Sequence, residues 1–119
     1  MLREEQAREL AGHWVTAWNT HDLDSIMAHY EDNVVLVSPV AATMLDDPSG
    51  TVAGKDALRS YFKRALEVYP NLSFELVDVM WGLRSVVLYY VNQKGSRTGE
   101  YMELGPTGKV SRVVANYSG

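Results

Sequence analysis

The stretch Leu10–Tyr30, LAGHWVTAWNTHDLDSIMAHY, restricts the fold more than any other part of the chain. Leu10, Trp14, Ala17 and Trp18 recur at helical spacing and form one apolar stripe, with His13 at its edge. Asn19, Thr20 and His21 are mediocre helix formers, and Asn19 suits a helix end. Asp22 is placed to cap a second helix, its carboxylate accepting a free backbone N–H of the first turn. Leu23, Ile26, Met27 and Tyr30 then face inward. A helix, a sharp corner and a second short helix therefore open the chain. Two tryptophans share one helix face, and each indole N–H needs a partner when buried. Either both rings are plain core, or one lines a cavity.

The remainder reads as strands and one more helix built against that pair. Glu31-Asp32-Asn33 is a polar break, and Val34–Val37 is β-branched and short, so a buried strand. Pro39 ends or edges it. Residues 40–53 form a long loop with a short strand near 51–53; loops of this length often act as lids, a point that stays open. Gly54 or Asp56 opens a third helix running to about Tyr69, with Leu58, Tyr61, Phe62, Ala65 and Leu66 on its buried face. Strands follow over 73–82, 84–92, 98–104 and 109–118, separated in part by Gly- and Pro-bearing turns. Residues 84–92 are nearly all apolar, so both faces should be covered. This order predicts an α+β fold in one domain, 1–119: a curved, mainly antiparallel sheet wrapped around three helices and enclosing a cone-shaped space.

Charge and composition narrow the function classes. The chain carries a formal charge of −4, and its 11 basic residues are scattered, with Arg59, Lys63 and Arg64 as the one local cluster. Nucleic acid is therefore not the expected partner, because phosphate binding needs a basic footprint. With no cysteine, disulfides, thiolate metal sites and cysteine nucleophiles are excluded. His13, His21 and His29 show no metal-ligand spacing, so no metal is expected. No apolar run is long enough to span a membrane, and the charged start MLREEQAREL is unlike a secretion signal; a cytoplasmic location is expected. No phosphate-binding or dinucleotide-binding glycine pattern occurs, so no cofactor is expected.

The segments AWNTHDLDSIMAHYEDNVVLVSP (17–39), GKDALRSYF (54–62), YP (69–70) and GKVSRVVANY (108–117) resemble the SnoaL-like and ketosteroid-isomerase-like branch of the nuclear transport factor 2 superfamily. The resemblance spans nearly the whole chain. It implies a curved antiparallel sheet with three helices, a deep apolar pocket at the open end, and a homodimer through the outer sheet face. In the isomerases the general-base aspartate stands immediately before a Pro-Val pair; here that place is Ser38. Their first-helix tyrosine of the oxyanion hole corresponds to Trp14, and their protonated aspartate on the penultimate strand to Glu100. A serine hydroxyl is essentially never ionised near neutral pH and does not replace a carboxylate base. The chain is thus not expected to be an authentic ketosteroid isomerase.

Alternation in 98–104 puts Glu100, Met102 and Leu104 on one face, so Glu100 should point toward the cavity. A carboxyl among Trp and Met side chains is desolvated, and its pKa rises toward the range of a general acid or base. Glu100 is the candidate catalytic residue. Tyr89 pairs with it if the 93–96 hairpin has a two- or four-residue loop; a three-residue loop presents Leu88 instead. Trp14, Trp18, Ser38, Tyr61, Tyr89, Met102, Val113 and Tyr117 are the expected pocket residues. Two functions compete. One is an isomerase- or cyclase-type enzyme moving a proton on a hydrophobic carbonyl compound. The other is a non-catalytic ligand-binding or dimerisation module whose pocket is filled.

Overall fold

A computed structural model describes all residues 1–119. Helix α1, Glu4–Asn19, buries Ala7, Ala11, Trp14, Ala17 and Trp18 along one stripe. It stops at a corner where His21 adopts a left-handed φ of 55°, and the imidazole Nε2 lies 2.9 Å from the Leu72 carbonyl. Asp22 caps α2, Leu23–Met27, by accepting from the Ser25 backbone N–H. This second helix is shorter than the sequence suggests. Tyr30 already belongs to strand β1, Tyr30–Val37, because the His29 carbonyl is taken by the Val110 N–H at 2.8 Å.

The expected loop 40–53 is largely ordered structure. Helix α3, Pro39–Met44, starts with Ser38 as its N-cap and Pro39 in the first turn. Proline suits that position because the missing N–H has no intrahelical partner there anyway. Strand β2, Thr51–Ala53, then returns antiparallel along β1. Gly50 makes this return possible: its φ is +58°, and a Cβ there would sit 2.5 Å from the Ser38 carbonyl oxygen. Helix α4, Lys55–Val68, buries Leu58, Tyr61, Phe62 and Ala65. Burying each such large side chain contributes about 1.5–3 kcal/mol.

Strands β3 (Glu75–Trp81), β4 (Ser85–Val91), β5 (Arg97–Leu104) and β6 (Val110–Ser118) complete the chain. The sheet order is β2-β1-β6-β5-β4-β3. Only β1 and β6 run parallel, so the sheet is mixed and mainly antiparallel. Its concave face carries Val86, Leu88, Tyr90, Thr98, Glu100, Met102, Val113 and Ala115, all buried. Helix α1 packs on β3 and α4 on β1, closing one wide core. The two faces of β4 differ: Val86, Leu88 and Tyr90 are buried, whereas Val87, Tyr89 and Val91 are only partly covered. The near-continuous apolar run thus reflects one core face and one partly open convex face.

Candidate functional site

The concave sheet face, α1 and α4 enclose a pocket of about 120 Å³ that opens to solvent at one end. Glu100 reaches it because Thr98, Glu100 and Met102 alternate inward along β5. Only 6% of Glu100 is exposed. Its Oε1 accepts a 2.7 Å hydrogen bond from the Tyr90 hydroxyl; Oε2 takes part in no hydrogen bond. Desolvation pushes the carboxyl up to about 7, with the Tyr90 bond pulling the other way. The Tyr90 phenol is raised in turn, first by its own burial and then by the nearby Glu100 charge.

The wall above this pair is aromatic. Phe74 stacks on Trp14 at 5.6 Å between ring centroids, and lies 4.3 Å from Tyr90. Its place is set by Asn19 at the end of α1. That side chain donates to the Phe74 carbonyl at 2.9 Å and accepts from the Phe74 N–H at 2.7 Å. Trp14 donates its indole N–H to the Tyr30 hydroxyl at 2.9 Å, so its polar edge is already used within the core. The Trp18 N–H is also turned toward the Tyr30 hydroxyl, which Trp14 already occupies, and makes no well-formed hydrogen bond. Nor do the Thr98 hydroxyl and the Gln93 amide oxygen, and all three residues line the pocket.

Trp14, Trp18, Ser38, Tyr61, Tyr117 and Glu100 therefore meet around one space. Ser38 is buried, with its Oγ accepting from the Val40 N–H at 3.1 Å as the α3 cap. The Tyr61 and Tyr117 phenols flank it. Burial raises both, Tyr117 to about 12, although Tyr117 stands at the rim and is 41% exposed.

Three expected pocket residues lie elsewhere. Tyr89 pairs with Gly99 on the convex face, while Glu100 pairs with Leu88. The hairpin closes on Asn92 and Ser96, leaving three residues between them, and that odd count sets the inward parity. Met102 and Val113 pair with each other across β5 and β6 and are wholly buried in the core. They pack beside the pocket without lining it. Asp46 and Asp47 stay exposed, Asp47 accepting from the Ser49 N–H at 3.0 Å.

Tyr90, Thr98, Gln93, Lys94, Tyr69 and Phe74 also line the pocket, and sequence reasoning did not select them. For Tyr90 and Thr98 the signal was the hairpin count. For Phe74 there was none, because its position depends on an amide 55 residues away. No three His, Asp or Glu side chains converge to hold a metal ion, and no helix is long and apolar enough to cross a membrane.

Fold and site together define an α+β domain whose curved, mainly antiparallel sheet and helices enclose a space with Glu100 at its base. The SnoaL-like domain family matches residues 11–115, and the chain belongs to that family. A SnoaL-like protein of unknown function from Burkholderia thailandensis E264 is 34% identical over 98% of both chains, with a TM-score of 0.95. An isomerase, provisionally so described, of the SnoaL-like family from Agrobacterium tumefaciens C58 is 16% identical, covering 97% of this chain and 99% of that one, with a TM-score of 0.78. An NTF2-like protein of unknown function from Cytophaga hutchinsonii is 13% identical over 94% and 89%, with a TM-score of 0.73. The last two likenesses concern the fold alone. No curated protein matches the sequence.

Proposed function

We propose that the protein is a cofactor-independent enzyme that moves a proton on a small hydrophobic carbonyl compound, with Glu100 as the acid–base group. The observation that carries this reading is a buried carboxyl facing an apolar pocket, one oxygen held by Tyr90 and the other unbonded. A group poised near neutrality both takes and returns protons efficiently. As carboxylate, Glu100 removes a proton from the carbon beside the carbonyl. The C–H bond breaks, its electron pair enters the new C=C, and the carbonyl oxygen becomes the enolate oxygen. Glu100, now protonated, returns the proton to a carbon of the same molecule, so nothing else is consumed. The Tyr61 and Tyr117 hydroxyls, which line the pocket, are the donors for the enolate oxygen. Ser38 serves as a helix cap and does not act as a base.

The space, about 120 Å³, is somewhat smaller than the cavity of about 150 Å³ that holds benzene, so a single-ring ligand extends into the open mouth. Deuterium wash-in from D₂O into the α-position of cyclohexenone and aryl ketones tests the reading. Glu100→Gln is expected to slow wash-in at least ~100-fold. Wash-in unchanged by the substitution removes Glu100 from the mechanism. Binding without any wash-in favours the non-catalytic ligand-binding module instead.

The same reading includes a homodimer through the convex sheet face. Val87, Tyr89, Val91, Tyr101 and Val114 share that face and are only partly covered. Light scattering after size-exclusion chromatography should give twice the 13.3 kDa chain mass; the chain mass itself contradicts it.

A further inference from the structure

The rim of the pocket holds a second charged group. Among the lining residues only Glu100 and Lys94 carry ionisable charge of the carboxylate or ammonium kind, and Glu100 is deep while Lys94 is at the mouth, exposed. Lys94 lies on the β4–β5 hairpin, residues 92–96. The Asn92 side chain ties this loop together: Oδ1 accepts from the Lys94 N–H at 2.9 Å and the Ser96 N–H at 3.0 Å. The Asn92 carbonyl accepts from the Gly95 N–H at 2.9 Å, and the Asn92 N–H donates to Ser96 at 3.0 Å. Gly95, at φ +80°, permits the turn. Asn92 Oδ1 is thus engaged while its Nδ2 donates to nothing, which leaves the Asn92 amide N–H groups, Gln93 and Lys94 as the loop's free polar groups.

The ammonium is also held in place. Lys94 Nζ lies 4.9 Å from the centroid of the Tyr69 ring, across the mouth at the end of α4. It makes no ion pair with any carboxylate of the chain. An unpaired cation resting on an aromatic face at the pocket mouth, in a protein of net charge −4, offers a local site for an anion. Beside it Asn92, whose Nδ2 donates to no other group, also lines the pocket. Lys94 and Asn92 thus supply an ammonium and an amide donor for the oxygens of a carboxylate.

Resting on the reading of this space as a ligand pocket, we infer that it selects ring-bearing oxo acids. The carbonyl enters first, toward Glu100, and the carboxylate stays at the rim against Lys94 and Asn92. The apolar walls between the two poles take the ring. Lys94 is then the specificity-determining residue, and charge-assisted contacts of this kind are roughly twice as strong as neutral ones.

Isothermal titration with 4-oxocyclohexanecarboxylate, whose ring separates ketone from carboxylate, and with its methyl ester tests the inference, using wild type, Lys94→Met and, as a control on a distant turn, Lys109→Met. Methionine keeps an apolar stem against Tyr69, so the loop should survive. Wild type is expected to bind the acid at least ~10-fold more tightly than the ester, a preference that shrinks as salt rises. Lys94→Met should erase the preference by weakening the acid alone, and Lys109→Met should preserve it. Equal binding of acid and ester by wild type, or an unchanged preference in Lys94→Met, overturns the role of Lys94 and leaves the pocket reading standing. Failure of both compounds to bind overturns the pocket reading together with this one.

Discussion

Tyr90 and Glu100 are joined diagonally across two strands: Tyr90 faces Thr98 and Glu100 faces Leu88, yet the phenol donates to the carboxyl at 2.7 Å. Diagonal neighbours on one sheet face are within reach of long side chains. The bond holds one carboxyl oxygen and leaves the other toward the pocket. Tyr90→Phe removes a bond that favours the charged carboxylate, so the Glu100 midpoint should move further up. Stability should fall by about 1.5–3 kcal/mol above that midpoint, the usual worth of a hydrogen bond to a charged group. Urea unfolding of the two proteins at pH 8 and pH 5 measures it; an equal loss at both pH values would show that the bond does not depend on the carboxyl's charge.

Glu100 also makes folding pH-dependent. Its folded-state value of about 7 lies above the ordinary 4.5, so between these values the folded protein binds more protons than the unfolded chain. The stabilisation is therefore complete below about pH 4.5 and is lost as pH rises toward 7 and beyond. The shift corresponds to roughly 3 kcal/mol. Glu100→Gln should abolish this component, so the stability difference between variant and wild type should change by that amount from pH 4.5 to 8. A difference that stays constant across this window contradicts the shifted carboxyl.

The Trp14–Tyr30 bond ties α1 to the first residue of β1 at the centre of the core. Tyr30→Phe keeps the ring and strands a buried indole N–H, which costs about 1–3 kcal/mol. Chemical denaturation should show a lower midpoint with an unchanged slope. An unshifted midpoint would mean that Trp14 finds another acceptor.

Gly50→Ala should be among the more damaging single-methyl changes in the chain. The left-handed backbone alone costs an L-residue about 1–2 kcal/mol, and the new methyl would press on the Ser38 carbonyl. Because Ser38 caps α3 and lines the pocket, ligand affinity should fall along with the melting temperature. Wild-type stability in the variant would show that the β2 return is loosely held.

Much of the architecture was legible because it follows from local pattern. The Trp14 and Trp18 stripe, the Asp22 cap and the alternation about Glu100 each rest on residues close in sequence. Helix α3 was missed: Ser38 followed by Pro39 is a helix-start signal, but after the β-branched run Pro39 reads as the end of a strand and 40–53 as a loop. Tyr89 was misplaced because one residue in a hairpin loop reverses a whole strand, and QKGS fits more than one loop length. Met102 and Val113 were rightly inward, but which inward residues touch the void and which lie behind it depends on packing between α4, Phe74 and the sheet. Phe74 itself is placed by Asn19 from a distant helix, a relationship that no local pattern records.

The acid–base role of Glu100 requires a buried carboxyl that titrates near neutrality inside the pocket. The ¹³C shift of the Glu100 side-chain carboxyl, followed from pH 3 to 10 and assigned by its loss in Glu100→Gln, measures this directly. A midpoint near 7 is expected, rising in Tyr90→Phe. A midpoint between about 4 and 5, the range of solvated glutamates, would contradict the acid–base role and leave Glu100 as an ordinary paired carboxylate.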